Sequence, residues 1–232
     1  MKGIHSNKIA RHSRLKNLNS RWPTWLALII IALLYEALPQ PRGLLLGLVS
    51  LLLIPLIITL WNNNNRINHY LILVINILIT LYTVISVSRL ILATIHGQIG
   101  PNHLLLSSVI LWTTNILVFA LWYWSLDAGG PVQRELKESA GSTAFLFPQI
   151  QLSLTQTIGI AEPLKNWTPN FVDYLFLAFN TTTAFSPTDT PVLTRWAKCM
   201  TMLQALISLT IILMLAARAV NILNSGSDYF VS

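Results

Sequence analysis

The sequence predicts an all-α, polytopic membrane protein with about five spanning helices and one short re-entrant helix. Three observations lead there. Of 232 residues, 53% are apolar and only 10% charged, whereas average proteins carry about 25% charged residues. The apolar residues gather in long uncharged runs, most of them near the roughly 20 residues that cross a bilayer core. One shorter run, from Phe171 to Thr183, ends in polar residues and a Ser-Pro-Thr-Asp turn. That is the pattern of a chain that dips into a membrane and returns, because irregular backbone survives at that depth only inside protein or beside a water-filled cavity.

The chain opens with a basic tail, residues 1–22, holding six of the fifteen Lys and Arg: Lys2, Lys8, Arg11, Arg14, Lys16 and Arg21. Basic residues before a first apolar helix mark a cytoplasmic N-terminus held against anionic headgroups. No folded basic domain accompanies them, so nucleic acid is not an expected partner. Residues 23–124 form a region of four apolar segments. The first runs from about Trp25 to Leu38. It has the basic flank of a signal peptide but lacks a small-residue cleavage site and carries Glu36, so it reads as a retained anchor. Being short, it spans only with Trp22 and Leu38 at the two interfaces.

Pro39-Gln-Pro-Arg42 breaks the first segment, and a second runs from Gly43 to Trp61. Asn62 to Arg66 make a polar connection to a third, Tyr70 to Ile95, which Gly97, Gly100 and Pro101 terminate. The fourth runs from Leu104 to Trp124. Trp61, Tyr70, Trp122, Tyr123 and Trp124 stand at segment ends, where interfacial aromatics are expected. Among polar residues in these segments, Glu36 is placed at an interface near Pro39. Arg89 either pairs with it or reaches for headgroups, and Asn115 bonds a neighbouring helix.

Residues 125–169 read as a polar extramembrane loop. They hold Gly129, Gly130, Pro131 and the mixed run Arg134-Glu-Leu-Lys-Glu138, read as a solvated helical turn. Phe145-Leu-Phe-Pro148 is apolar enough to dock on the membrane or a neighbouring element. The next helix has two capping options. Thr168 can cap it with Pro169 in the first turn, or Asn170 can do so with Asp173 three residues on. Phe171 to Thr183 then makes about 20 Å of helix, too short for a core of about 30 Å. Asp189 or Thr190, with Pro191, caps a long final helix that reaches about Asn221. Residues 224–232 form a tail. Along the final helix Thr201, Gln204 and Ser208 make one polar stripe. It either faces a cavity or bonds another helix. Arg218 near the helix end snorkels to headgroups.

The segment Phe179-Asn-Thr181-Thr-Thr183-Ala-Phe-Ser-Pro-Thr-Asp189 resembles the filter region of the potassium-channel superfamily. In that family a short pore helix leads into T-x-T-T-V-G-Y-G-D, then a proline and a pore-lining inner helix. Thr181 and Thr183 match family threonines and Asp189 matches the closing aspartate. Pro191 to Lys198 is similar to the start of the inner helix. The resemblance covers residues 170–223 only. It implies a cation pathway beside Thr181, Thr183, Ala184, Phe185, Ser186, Pro187, Thr188 and Asp189, with Thr201, Gln204 and Ser208 facing a cavity. It also implies monovalent cations as the passengers and four like subunits around one axis.

Ser186 and Thr188 replace the filter glycines and Pro187 the tyrosine. Stacked carbonyls need conformations that glycine reaches cheaply, and Pro187 fixes its own φ and restricts Ser186. The filter implied is therefore non-standard, with poor potassium selectivity. The alternative is a non-conducting scaffold or regulatory subunit that presents Ser125 to Asn170 to a partner complex. No enzyme is expected. His5, His12, His69, His96 and His103 lack metal spacing, Cys199 is single, and no nucleophile elbow or Gly-rich phosphate loop occurs. No metal or cofactor is expected. The protein is placed in the plasma membrane, or the inner membrane of a bacterium. With a cytoplasmic tail and four full spans, the dipping segment enters from the cytoplasm, opposite to potassium channels, unless the first segment does not span, the tail lies outside, or Phe171 to Pro187 crosses.

Overall fold

A computed structural model describes residues 22–38, 65–131, 134, 143–154, 167–183 and 189–227. These residues are mostly helical, with one isolated β-bridge and no longer strand among them. The helices are α1 (Trp22–Glu36), α2 (Asn65–Ile95), α3 (Pro101–Leu126), α4 (Pro148–Leu154), α5 (Phe171–Thr183) and α6 (Arg195–Ser227). Three stretches are long and apolar enough to cross a membrane: His69–Ile95, Asn102–Gly129 and Arg195–Ala217. Helix α1 has 15 residues, about 22 Å at 1.5 Å each, and does not meet that length. The apolar segment Gly43 to Trp61 lies outside the described residues, as does the filter-like stretch 184–188.

Helix α3 is the axis of the bundle. It touches α1, α2, α5 and α6, and 72% of its apolar window is buried, against 33% and 22% for the other two spans. The outward rows of α2 and α6, such as Val74, Ile77, Leu81 and Leu206, Leu209, Leu213, stay exposed. Apolar rows facing outward are what lipid accommodates and water does not.

Side-chain pairs give the helix directions. The turn after α2 carries His96–Gly100, with Gly97 at φ +67, and sends the chain back as α3. Trp122 Nε1 donates to Thr80 Oγ1 at 2.9 Å between these antiparallel helices. Near the turn, Thr94 of α2 reaches Met214 of α6. The start of α1 lies beside Arg134 and Asn170, and its far end bonds α2 through Tyr35 and Thr83 hydroxyls at 2.7 Å. The starts of α1, α2, α5 and α6 and the end of α3 thus share one end of the bundle, called here the upper end.

Aromatic packing fills that upper end. Phe145 stacks edge-on against Tyr123, Tyr174 and Trp196, and Phe147 against Tyr174. Trp122, Tyr123 and Trp124 are buried. They are therefore core residues, unlike the interfacial belt the sequence suggested. Each points into the contacts of α3, where protein surrounds it on all sides. Trp22 and Tyr70 are exposed, as belt residues are. The 143–147 segment docks against neighbouring elements through the Phe145↔Val192 bridge, with Leu146 N–H to Pro191 O at 2.9 Å and Leu193 N–H to Ala144 O at 2.8 Å. Residues 191–193 are therefore extended, and α6 begins at Arg195, with the Lys198 N–H on Thr194 O. The expected cap at Asp189 or Thr190 does not form, because Pro191 to Leu193 pair with the loop instead.

Candidate functional site

Helix α5 has the shape that singles it out. Its first turn is fixed by Asn170, whose Oδ1 accepts from the N–H groups of Val172 and Asp173 at 2.8 and 3.3 Å. Asp173 Oδ2 accepts from the Asn170 N–H at 2.7 Å. This reciprocal box satisfies donors that a helix start leaves orphaned, so Asn170, and not Thr168, is the cap. The helix then runs 13 residues, Phe171–Thr183, about 20 Å.

Helices α5 and α6 run in the same direction. Tyr174 and Trp196, in their first turns, both touch Phe145. Two turns further, Thr182 meets Gln204 and Ser208. Yet α6 continues to Ser227 whereas α5 stops at Thr183. Thr182 is fully buried, so the end of α5 lies inside the bundle, and by Pro191 the chain is back at the upper end, bonded to Leu146.

A helix that ends in an apolar interior leaves carbonyls without partners, which is costly where water is absent. Here α6 supplies them. Gln204 Nε2 donates to Ala178 O at 2.7 Å and Thr182 Oγ1 at 2.6 Å, and Ser208 Oγ donates to Thr182 O at 2.6 Å. Thr181 and Thr183 fold back onto the carbonyls of Leu177 and Asn180. Gln204 Oε1 accepts from Tyr123 O–H at 2.6 Å, and Asn115 Nδ2 donates to Gln204 O at 3.2 Å. Of the polar stripe read from the sequence, Gln204 and Ser208 are thus buried and bonded to α5 within one chain. Thr201 instead bonds its own helix at Lys198 O. Thr181 and Thr183 are partly exposed, and Asp189 is exposed. Ala184, Phe185, Ser186, Pro187 and Thr188 lie outside the described residues.

Opposite the tip of α5, helix α3 shows a row of which the sequence reading named only Asn115. Ser108, Trp112 and Asn115 fall at i, i+4 and i+7. Trp112 stacks on Phe179, and Ser108 Oγ, Trp112 Nε1 and Asn115 Oδ1 are buried with no hydrogen-bond partner. Buried polar atoms are rarely left so. The row was legible as a spacing, but only α5 gives it meaning.

A second polar cluster sits at the upper end. Asp127, fully buried, accepts from the Ala144 N–H at 2.6 Å and from the Tyr174 O–H at 2.5 Å. Arg134 Nη1 donates to the carbonyls of Asp127 at 3.1 Å and Trp124 at 3.4 Å. Its guanidinium lies over the rings of Trp124 and Tyr174, 4.4 and 4.9 Å from their centroids. Ala128, Gly129 and Gly130 all have positive φ and fold the chain back after α3. A Cβ on Gly130 would meet Ser125 O at 3.0 Å, so the turn requires glycine there. Arg134 is 7% exposed. This corrects the solvated turn expected of its charge run; Glu135 to Glu138 lie outside the described residues.

Glu36 and Arg89 are exposed, and no ion pair joins them among the described residues. Among those residues no group of three His, Cys, Asp or Glu side chains gathers to hold a metal. No family model, curated protein or solved structure matches this chain.

Proposed function

We propose that the chain is the pore-forming subunit of an oligomeric, cation-conducting membrane protein, with α5 as its pore helix and α6 as its inner helix. The observation that carries this reading is the dip. Helix α5 enters at the upper end, stops at the depth of Ser208, and α6 starts again from the same upper end. The carbonyl end of a helix carries a partial negative charge. Aimed at mid-depth, it favours a cation there, as broken helices do in transporters. The buried, unpartnered Ser108, Trp112 and Asn115 atoms place polar groups beside that tip. Thr181, Thr183, Ser186, Thr188 and Asp189 are the residues placed along the pathway, with four subunits by analogy to the family the segment resembles.

The basic tail leads into Trp22 at the upper end, where Arg134, Arg195 and Lys198 also lie. By the positive-inside rule the upper end is then cytoplasmic, and the dip enters from the cytoplasm. Two further spans, α1 and the segment from Gly43 to Trp61, complete the five; both belong to this proposal. So does the assignment to the plasma membrane.

The test is flux through purified protein in liposomes, with monovalent cations inside and an opposing gradient. Cation-selective flux above empty liposomes supports the reading, and its absence in folded protein refutes it. One observation favours a second reading. Gln204 bonds Tyr123, and Gln204 and Ser208 bond α5, all within a single chain, which leaves them no water path. A non-conducting membrane scaffold or regulatory subunit would need nothing more.

A further inference from the structure

A groove of about 530 Å³ runs beside α5 at the upper end. Along α1 it is lined by Trp22, Leu26 and Ile30, along α5 by Val172 and Leu175, with Leu117 of α3 between them. Its upper part is polar: Arg134, Thr168 and Asn170. Leu26 and Val172 are exposed, so the groove opens sideways on the surface that faces lipid in the membrane reading. Polar at the headgroup level and apolar below, it has the polarity profile of an amphiphile standing along the membrane normal.

Arg134 decides the headgroup. It is a buried cation, and among the described residues its nearest carboxylate, Asp127, stands 4.0 Å away. That carboxylate is already engaged by Ala144 and Tyr174. Asp173, the other acid at this end of α5 among the described residues, is taken up in the Asn170 cap. Nη1 is bonded to two carbonyls, whereas Nη2 is buried and has no partner. A guanidinium with one arm satisfied and the other unpartnered is matched by a phosphate oxygen, through a charge-assisted bond. The two aromatic faces beneath it hold its plane fixed.

We infer that this groove is a binding site for an anionic phospholipid, its phosphate on Arg134 and one acyl chain between α1, α3 and α5. The site does not depend on conduction. Bound there, the lipid ties the short helix α1 to the dipping helix α5.

The test uses the full chain in neutral detergent, titrated with phosphatidylglycerol, phosphatidylcholine or inorganic phosphate. Bound lipid is counted by native mass spectrometry. The wild type binds phosphatidylglycerol about tenfold more tightly than phosphatidylcholine, and inorganic phosphate does not displace it. Arg134→Gln brings the two lipids level, Arg134→Lys keeps part of the preference, and Leu175→Trp, which fills the groove, weakens both. Equal binding of the two lipids by the wild type overturns the site. So does an unchanged preference in folded Arg134→Gln, or displacement by inorganic phosphate, which would make the ligand a free anion. If Arg134→Gln does not fold, Leu175→Trp decides alone, and wild-type lipid occupancy in that variant overturns the site.

Discussion

Replacing Gln204 by leucine tests whether its amide closes the end of α5 or faces a cavity. Leucine has similar bulk and removes the amide's three bonds, to Ala178 O, Thr182 Oγ1 and Tyr123 O–H, now at 2.7, 2.6 and 2.6 Å; Ala178 O keeps its in-helix N–H from Thr182. Interhelical hydrogen bonds within membranes average about 0.6 kcal/mol, so the three together set a floor near 2 kcal/mol. Leaving buried groups unsatisfied adds to this, and about 4 kcal/mol is a fair upper figure. For a chain of this size each kcal/mol is worth about 2–4 °C of melting temperature. A fall of about 5–15 °C is therefore expected in detergent, followed by circular dichroism and by loss of the monodisperse peak in size exclusion. Tyr123→Phe removes one of the three bonds and leaves the other two, so it costs less. In the double-mutant cycle the pair couples by about 1 kcal/mol. A Gln204→Leu protein as stable as the wild type would refute the capping role and return Gln204 to a cavity.

The remaining expectations concern the ends of α5 and α6. Asn170→Ala removes both of its accepted bonds and costs about 1 kcal/mol, read by thermal unfolding; Thr168→Ala, at the unused cap position, costs nothing measurable. Asp189 is exposed and caps nothing in α6, so Asp189→Asn leaves the melting temperature unchanged. At low salt it lowers cation flux, and the two fluxes converge as salt screens the charge; equal fluxes throughout would exclude a pore-mouth role. Bi-ionic reversal potentials should show little preference for potassium over sodium, because Ser186, Pro187 and Thr188 cannot supply the usual carbonyl stack; a strong preference would overturn this. In a Cys199→Ser background, single cysteines at residue 20 and at Asp189 should both react from the cytoplasmic side. Labelling from opposite sides would break the shared upper end.

Helix α5 was legible in the sequence because its signals are local. Asn170 and Asp173 announce its start, and three threonines announce an end away from lipid. The start of α6 was misread because the competing partner is distant: Pro191 looks like the first residue of a helix until Leu146 and Ala144 pair with its strand-like flank. Trp122, Tyr123 and Trp124 looked interfacial for the same reason, since their burial depends on Phe145 and Tyr174, far along the chain. Asp127 and Arg134 went unread as a pair. The only trace of their meeting is Gly129-Gly130, which lets the chain double back. The stripe holding Gln204 was visible, but its role depended on which helix stood opposite, a question periodicity does not answer.

If α5 dips into the membrane as proposed above, that opposite helix also sets an order of events during biogenesis. The residues that close the end of α5, Gln204 and Ser208, lie downstream of it by more than twenty positions. A nascent chain synthesised only through Thr183 carries a helix whose inner carbonyls have no partner in hydrocarbon, and α5 has no reason to leave the membrane surface. It can settle only as α6 arrives beside it and brings its own amide and hydroxyl. On that reading α6 is the helix that lets α5 enter, and the two insert as one coupled step rather than one after the other.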